Sequence, residues 1–169
     1  MSEFIKVTPQ ELTSNPFTKI GRDWMLIGAE KDGRVNMMTA SWGGFGIYWS
    51  KPVAYTVIRP QRFTKAFVDG ADGFSLTFFP EEYRGQLNFC GEKSGRDYDK
   101  VKECGFDVLY DDGIPYFAQA NMVMFCRHLV AQPLSESAFI NPGIIPDTYR
   151  DKDFHTLYIS EIVKVLVKK

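Results

Sequence analysis

Residues 35–52 read VNMMTASWGGFGIYWSKP and join a regular strand pattern to a glycine-rich aromatic segment. The alternation of side chains predicts a strand over Val35–Ser41. Glycines then follow at positions 43, 44 and 46, although glycine weakens any regular element. Either a bend packs the neighbouring aromatic side chains into the core, or the backbone is bare so that something flat can lie against it.

The rest of the chain contains more strand patterns than helix patterns. Strands are predicted over Trp24–Lys31, Pro52–Ile58, Phe74–Phe79, Phe106–Tyr110, Tyr116–Leu129 and His155–Val167, with a hairpin turn at Asp32-Gly33. Helices are predicted at the Thr8–Glu11 capping box and over Phe63–Asp69, Glu81–Glu92 and Gly95–Glu103. This order predicts one mainly β domain over residues 1–169, with antiparallel strands and peripheral helices. A closed barrel would hide the strand edges.

The composition excludes several classes of protein. A net charge of −1 over 169 residues offers no general attraction to nucleic acid or to an anionic membrane. No apolar run has the length of a signal core or a membrane span, and Cys90, Cys104 and Cys126 form no C-x-x-C pair. We therefore expect a cytoplasmic protein with reduced thiols. Cys90 is expected to be a small buried residue, because no resolving cysteine is near in sequence.

Common catalytic motifs and metal sites are not predicted. The chain has no G-x-G-x-x-G motif after a strand, no Walker loop and no G-x-S-x-G elbow. Its only histidines are His128 and His155, so no zinc ligand set is credible, and Asp111-Asp112 is expected to lie in a solvated turn. We predict no metal.

Two segments have the pattern of an anion site. In the first, Arg59 and Arg62 lie between a strand and a helix, with Thr64 expected as the helix N-cap. In the second, residues 92–100 read EKSGRDYDK, with Ser94 and Asp97 expected as a capping box. Helix N-termini have free N–H groups that attract anions, and arginine adds paired donors. For either segment alone we favour a capped helix end with solvated charges. The sharper hypothesis is that a phosphate lies between the two segments.

The glycine-rich segment could supply the binding free energy that charge alone does not provide. Micromolar binding needs about 8 kcal/mol, whereas one helix end offers an anion only ~1 kcal/mol. The remainder would come from burying a flat, apolar part of a ligand against Trp42, Gly43 and Gly44. The alternative is that Trp42, Phe45, Tyr48 and Trp49 belong to the core or to an interface, and we favour this for Tyr48 and Trp49.

These residues resemble the flavin reductase-like family, especially its flavoredoxin-type members. The resemblance covers about residues 24–165 and rests on the following blocks in this order: Asn36-x-x-Thr39-Ala40-Ser41-Trp42, Lys51-Pro52, Ile58-Arg59-Pro60-x-Arg62-Phe63-Thr64, Phe74-Ser75-Leu76, Ser94-Gly95-Arg96-Asp97-x-Asp99-Lys100 and His155-Thr156-Leu157-Tyr158-Ile159-Ser160-Glu161-Ile162. It implies an FMN-binding split β-barrel with a Greek-key-like antiparallel sheet. It also implies a homodimer with the flavin near the subunit interface.

The resemblance also implies roles for individual residues. The isoalloxazine ring would contact Asn36 and the backbone of Thr39, Ala40, Ser41 and Trp42. The phosphate end would be bound by Arg59, Arg62, Phe63 and Thr64, and Ser94, Arg96 and Lys100 would complete the phosphate and ribityl contacts. His155 would lie where a nicotinamide could stack, although it could instead be a strand-end histidine bonded to backbone.

Three functions remain open from the sequence. The first is an oxidoreductase in which NADH or NADPH gives hydride to flavin N5 and the reduced flavin passes electrons onward, since the protein mainly positions such a cofactor. The second is an FMN electron carrier that a partner protein reduces, with an acceptor protein downstream. The third is a dimeric barrel whose aromatic residues form only core and interface.

Overall fold

The computed structural model of the protein describes residues 4–169. The strands are β1 Phe4–Val7, β2 Met25–Lys31, β3 Arg34–Ala40, β4 Gly43–Tyr48, β5 Lys51–Ile58, β6 Gly73–Phe78, β7 Val108–Asp111, β8 Ile114–Phe117, β9 Met122–Pro133 and β10 Thr156–Lys168. The α-helices are α1 Pro16–Thr18, α2 Phe63–Gly70, α3 Arg84–Glu92, α4 Lys100–Cys104 and α5 Ile144–Thr148. Single 3₁₀ turns cover Pro9–Glu11, Glu81–Tyr83 and Glu136–Ala138, and a π-helical turn covers Lys19–Asp23.

Most strands belong to one antiparallel sheet. Its order is β3-β2-β6-β9-β10-β5-β4, with β1 added beside β10, and β7 and β8 form a separate hairpin. The prediction of a mainly β, antiparallel fold with peripheral helices is confirmed. The expected closure of the barrel is wrong, because no pairing joins the two end strands β3 and β4 in the part of the chain that the structure describes. Helices α3 and α4 pack against β3, so this end strand is partly covered although no strand pairs with its outer side.

The β2–β3 hairpin has the predicted turn. Asp32 and Gly33 both have positive φ, 53° and 74°, as a two-residue type I′ turn requires. The register pairs Lys31 with Arg34 and Met25 with Ala40. The turn therefore fixes where β3 ends, and this end leads directly into the glycine-rich segment.

The glycine-rich segment is itself a strand, β4, which the sequence did not predict. Gly43 has a φ of +143°, and a Cβ atom there would collide with the carbonyl oxygen of Tyr55 on β5. Glycine is thus required for β4 to lie against β5. One aromatic residue of β4, Phe45, packs edge-to-face on the core residue Phe78, with ring centroids 6.1 Å apart.

Tyr48 ends β4 and Trp49 follows it in the β4–β5 turn, where Trp49 and Ser50 have φ values of 50° and 58°. Their rings are tilted against each other with centroids 4.0 Å apart, and about half of each side chain is exposed. A place in the core of this chain is wrong for them, because the tight turn directs them to the surface, and a place in an interface stays a prediction.

Three other elements differ from the prediction. The long strand predicted over residues 116–129 is two strands, β8 and β9, because a turn at residues 118–121 separates them. In this turn the Asn121 N–H donates to the carbonyl of Phe78 at 2.9 Å. The helix predicted over residues 95–103 begins only at Lys100, since residues 94–98 form a turn on the Ser94 carbonyl. The opening helix is a single 3₁₀ turn, in which the Thr8 N–H donates to the Glu11 carboxylate at 2.6 Å.

Buried apolar side chains form clusters on both faces of the sheet. Neighbouring residues of one strand point into different clusters, as Leu26 and Ile27 of β2 and Met124 and Phe125 of β9 show. Strands that read as continuous apolar runs are covered on both faces for this reason. No helix within residues 4–169 is long and apolar enough to cross a membrane.

Candidate functional site

A cleft of about 260 Å³ opens at the end of β3. We call it the aromatic cleft. Its lining residues are Met38, Thr39, Ala40, Ser41, Trp42, Val57, Arg59, Arg62 and His155. They come together because β5 pairs with β10, with Ile58 opposite Thr156, while the chain turns from β3 into β4 across the mouth. The structure therefore brings Thr39–Trp42, Arg59, Arg62 and His155 into one cleft.

Trp42 is the exposed aromatic residue among those that line this cleft. Its side chain is 52% exposed, and its ring centroid lies 5.4 Å from that of His155. Ser41 and Trp42 follow the last paired residue of β3, Ala40. Since β3 is an end strand, backbone groups on its outer side can bind a ligand edge.

His155 is a buried, neutral side chain. It is only 6% exposed, and its Nδ1 atom lies 2.7 Å from the Tyr149 hydroxyl. Burial, together with the nearby Arg59 guanidinium, lowers the pKa of His155 to about 4. The imidazole is therefore uncharged near neutral pH and can offer one hydrogen-bond donor or acceptor but no positive charge.

Arg59 belongs to the aromatic cleft and is already engaged. Its guanidinium forms a salt bridge with Asp153 at 2.5 Å and donates to the Thr148 carbonyl at 2.9 Å. It also lies over the Tyr149 ring, 5.1 Å from the centroid. These contacts tie the 144–154 segment to the cleft wall, and the predicted phosphate contact of Arg59 stays a prediction.

A second cavity of about 210 Å³ lies beside the first, and we call it the basic pocket. Its lining residues are Gln61, Arg62, Phe63, Thr64, Glu92, Lys93, Ser94, Gly95, Arg96 and Lys100. Four cationic side chains thus surround the pocket against one carboxylate. Phe63 and Thr64 are the first residues of α2, where N–H groups have no acceptor within the helix. Both features favour an anion.

The predicted caps at this pocket are wrong in detail. The N-cap of α2 is Arg62 rather than Thr64, because the turn from Arg59 to Arg62 starts the helix early and the Thr64 hydroxyl accepts from Asn36 at 2.9 Å. Ser94 does not cap a helix. Its hydroxyl accepts from the Arg96 N–H at 3.2 Å, and Asp99 caps α4 instead.

Lys100 lies beneath the pocket with little exposure. Its Nζ atom donates to the carbonyl of Met37 at 3.0 Å and to that of Cys90 at 2.8 Å. Burial, with a further contribution from Arg62, lowers the pKa of Lys100 to about 8. An ammonium has three protons, so one donor remains beyond these two carbonyls.

Asn36 supports the pocket from behind. It is buried, bonds Thr64 through its amide nitrogen, and lines neither cavity in the described chain. A Cβ atom on Gly95 would collide with the side-chain amide oxygen Oδ1 of Asn36, so the loop approaches closely only because residue 95 is glycine. The predicted contact of Asn36 with a ring stays a prediction.

Arg62 is the residue that joins the two cavities, since it lines both. Its guanidinium donates to the Gly91 carbonyl at 2.8 Å, and burial lowers the pKa of Arg62 from its ordinary value. Arg96 completes the wall by donating to the Gln61 carbonyl at 3.2 Å and lying over Phe63. A ligand with an anionic tail and a flat head could therefore span both cavities past Arg62.

Sequence reasoning missed some residues of this region. Tyr149 and Asp153 lie in a segment without helix or strand periodicity, and nothing in their spacing connects them to Arg59 or His155. Gly95 could have been singled out, because glycine between charged residues marks a close backbone approach. Met38 and Val57 alternate correctly on their strands, but the pattern does not say which face meets a cavity.

Comparison with known proteins identifies the family and the fold of the chain. The flavin reductase like domain family matches residues 17–169. No curated protein sequence gives a significant match. An FMN-binding domain of a flavin reductases-like enzyme from Shewanella baltica OS155 superposes with a TM-score of 0.71 at 16% identity, over 98% of this chain and 78% of the other.

Two further structures share the fold. A flavoredoxin from Methanosarcina acetivorans superposes with a TM-score of 0.68 at 17% identity, over 95% and 73% of the two chains. The NADH:FAD oxidoreductase SgcE6 of Streptomyces globisporus superposes with a TM-score of 0.65 at 11% identity, over 87% and 78%. At these identities the superpositions establish the fold alone, whereas the family match covers most of the sequence. The chain belongs to the flavin reductase like domain family.

Proposed function

We propose that this protein binds FMN with the phosphate in the basic pocket and the ring system in the aromatic cleft. The observation that supports it most directly is that Arg62 lines both cavities, so that one side chain lies where tail and head would meet. The order of the cavities matches the ligand, with cations at one end and Trp42 with the end of β3 at the other.

The basic pocket fits a phosphate in charge and in shape. Arg62, Arg96 and Lys100 are fixed by carbonyl oxygens, so binding costs little ordering of their side chains. Phosphate prefers such charge-assisted donors together with helix N–H groups. Gly95 keeps the loop close enough for its backbone to take part.

The aromatic cleft would supply most of the affinity. Charge-assisted contacts bring an anion to the pocket, but micromolar binding requires about 8 kcal/mol, and burial of a flat ring is the largest available source. The half-exposed Trp42 ring offers apolar area, while the outer backbone edge of Thr39 to Trp42 offers hydrogen bonds to a heterocycle.

We further propose that the protein is an oxidoreductase that uses NADH or NADPH. Bound FMN would accept hydride from the nicotinamide and pass electrons onward. The chain's own part is to orient the reactants and exclude water: His155 and Trp42 form the wall where a nicotinamide could stack, and a neutral His155 adds no charge that would repel the cationic product. No side chain needs to move a proton in that step.

We also propose a homodimer. Ile47 and Trp49 on β4 and its turn are 64% and 52% exposed, which is unusual for neighbouring large apolar side chains. Burying them against a second copy would remove this apolar area from water. Light scattering should give the mass of two chains with or without flavin, and a concentration-independent monomer would contradict this part.

One experiment separates the candidate functions. Purified protein is mixed with FMN, and its absorbance and fluorescence are recorded before and after NADH or NADPH is added without oxygen. A perturbed flavin spectrum followed by prompt bleaching supports the oxidoreductase. Colour that persists until a chemical reductant is added would favour an electron carrier instead. A spectrum identical to that of free FMN at protein excess would overturn FMN binding.

A further inference from the structure

Cys90 and Cys104 lie in contact beside the basic pocket. Cys90 is buried in α3 and Cys104 ends α4, and their sulfur atoms are 3.6 Å apart although the residues are 14 positions apart. A disulfide requires an S–S distance of about 2.05 Å, so the sulfurs would have to approach by roughly 1.5 Å. Both helices are short surface elements that can shift by this amount more easily than a central strand.

The two thiols differ in pKa and in exposure, and such a difference favours disulfide formation. The hydrogen bond with Cys90, together with the Lys100 ammonium, lowers the pKa of Cys104, which is only half-buried. The same hydrogen bond and burial raise the pKa of Cys90. Cys104 is therefore the thiol that ionises and meets an oxidant first, and Cys90 is the thiol that holds its proton until later.

Main-chain carbonyls at and next to Cys90 accept hydrogen bonds from two cationic side chains of the basic pocket. Its carbonyl accepts from Lys100 at 2.8 Å, and the next carbonyl, that of Gly91, accepts from Arg62 at 2.8 Å. Movement of the Cys90 sulfur toward α4 displaces this part of the helix. Two cations of the basic pocket would then lose the positions in which the reduced protein holds them.

We propose that Cys90 and Cys104 form a reversible disulfide in the presence of a peroxide, and that this disulfide weakens anion binding in the basic pocket. The Cys104 thiolate attacks a peroxide oxygen, the O–O bond breaks, the sulfur is oxidised to a sulfenic acid, and the released hydroxide takes a proton and leaves as water. The Cys90 sulfur then attacks the Cys104 sulfur, the S–S bond forms, the S–O bond breaks, and hydroxide leaves with the Cys90 proton as a second water. A dithiol reduces the disulfide back to two cysteine thiols and is itself oxidised to a disulfide. Disulfide formation is independent of the flavin, whereas its effect on FMN rests on the proposed function.

Peptide mapping tests the disulfide. The reduced protein is treated with one equivalent of hydrogen peroxide and then unfolded in urea, so that every free thiol is alkylated. Tryptic peptides are analysed without reduction. We expect residues 85–93 linked to residues 103–127, with fragment ions that place the bond on Cys104 and leave Cys126 alkylated, because Cys126 is fully buried in the core. Cys126→Ala should still form the link and Cys104→Ala should not. Over-oxidised Cys104 beside an alkylated Cys90, or a bond to Cys126, would overturn the proposal.

Titration of the oxidised protein tests the coupling. FMN should bind the disulfide form about tenfold more weakly than the reduced form, while riboflavin, which lacks the phosphate, binds both equally. Dithiothreitol should restore the first value in the wild type, and peroxide should change nothing in Cys104→Ala. Equal FMN affinity before and after cross-linking would overturn the coupling. If the reduced protein binds no FMN at all, the proposed function and the coupling fail together, and the peptide map still decides the disulfide.

Discussion

A hydrogen bond of 2.7 Å joins the Tyr149 hydroxyl to His155 Nδ1, and we infer that the hydroxyl is the donor. Within residues 4–169 this hydroxyl has no other hydrogen-bond acceptor, so the reverse arrangement would leave a buried O–H without a partner. Nδ1 is therefore the acceptor, and the proton of the neutral ring is on Nε2. Tyr149 thus fixes the tautomer of the histidine that lines the aromatic cleft.

Without this hydroxyl, the neutral His155 ring should no longer be held in the Nε2–H tautomer. In Tyr149→Phe we expect ¹⁵N shifts of His155 that change from a single Nε2–H form to a mixture, and a free energy of unfolding lower by about 1 kcal/mol in urea titration. The rate of flavin bleaching by NAD(P)H should fall while the Kd of FMN stays the same. Unchanged ¹⁵N shifts would show that Tyr149 does not set the tautomer.

The burial of His155 makes stability depend on pH. Its pKa is lowered to about 4, below the value near 6.5 of an exposed histidine, so between these values the unfolded chain binds a proton that the folded chain does not. The contribution is complete above pH 6.5 and decreases as the pH falls toward 4, by about 3 kcal/mol in total. The difference in unfolding free energy between the wild type and His155→Gln should follow this course, and a difference constant from pH 7 to pH 4 would contradict it.

Lys100 should make the affinity for FMN depend on pH on the alkaline side. Its pKa is about 8 in the free protein, with Cys90, Arg62 and Cys104 as the titratable neighbours, and a nearby phosphate would raise it. FMN affinity should thus fall about tenfold from pH 7 to pH 9, because binding must restore the lost proton. Riboflavin affinity should stay flat. Lys100→Met should bind FMN more weakly at pH 7 and show a shallower profile, and an equally steep profile in that variant would rule Lys100 out.

Two glycines allow a matched test of the pocket's shape. In Gly95→Ala the new methyl group meets the Asn36 side chain, and we expect a loss of about 1–3 kcal/mol of stability together with weaker FMN binding. Gly85 lies in α3 with open space around it, so Gly85→Ala should raise stability by up to about 1 kcal/mol and leave FMN binding unchanged. Thermal unfolding and FMN titration of both variants check this, and equal effects would argue against a close approach at Gly95.

Much of the sheet could be predicted from local patterns. The I′ turn at Asp32-Gly33, the alternating strand around Asn36 and the apolar run before Arg59 each have a signal within a few residues. Strand β4 escaped prediction because its glycines contradict strand propensity. Gly43 is explained only by its close approach to the carbonyl oxygen of Tyr55, which is 12 residues away in sequence.

The same distinction between local patterns and contacts of distant segments holds for the site. The sequence placed the cations of the basic pocket near each other because helix starts and arginines can be read from short segments. It could not give the partners of those cations, such as Asp153 for Arg59 or the Cys90 carbonyl for Lys100, since these contacts join segments that nothing in the sequence relates. The contact between Cys90 and Cys104 was missed for the same reason: it depends on how α3 and α4 pack.

The most direct test of the account is the ratio of the riboflavin Kd to the FMN Kd, measured in the wild type and in Arg62→Ala. Because Arg62 lies between the cavities, its loss should weaken FMN binding about 10- to 100-fold and riboflavin binding far less, so the ratio collapses toward one. Trp42→Ala is the control, since it should weaken both flavins alike and leave the ratio intact. A wild-type ratio near one, or an Arg62→Ala variant that loses both flavins equally, would contradict a phosphate in the basic pocket.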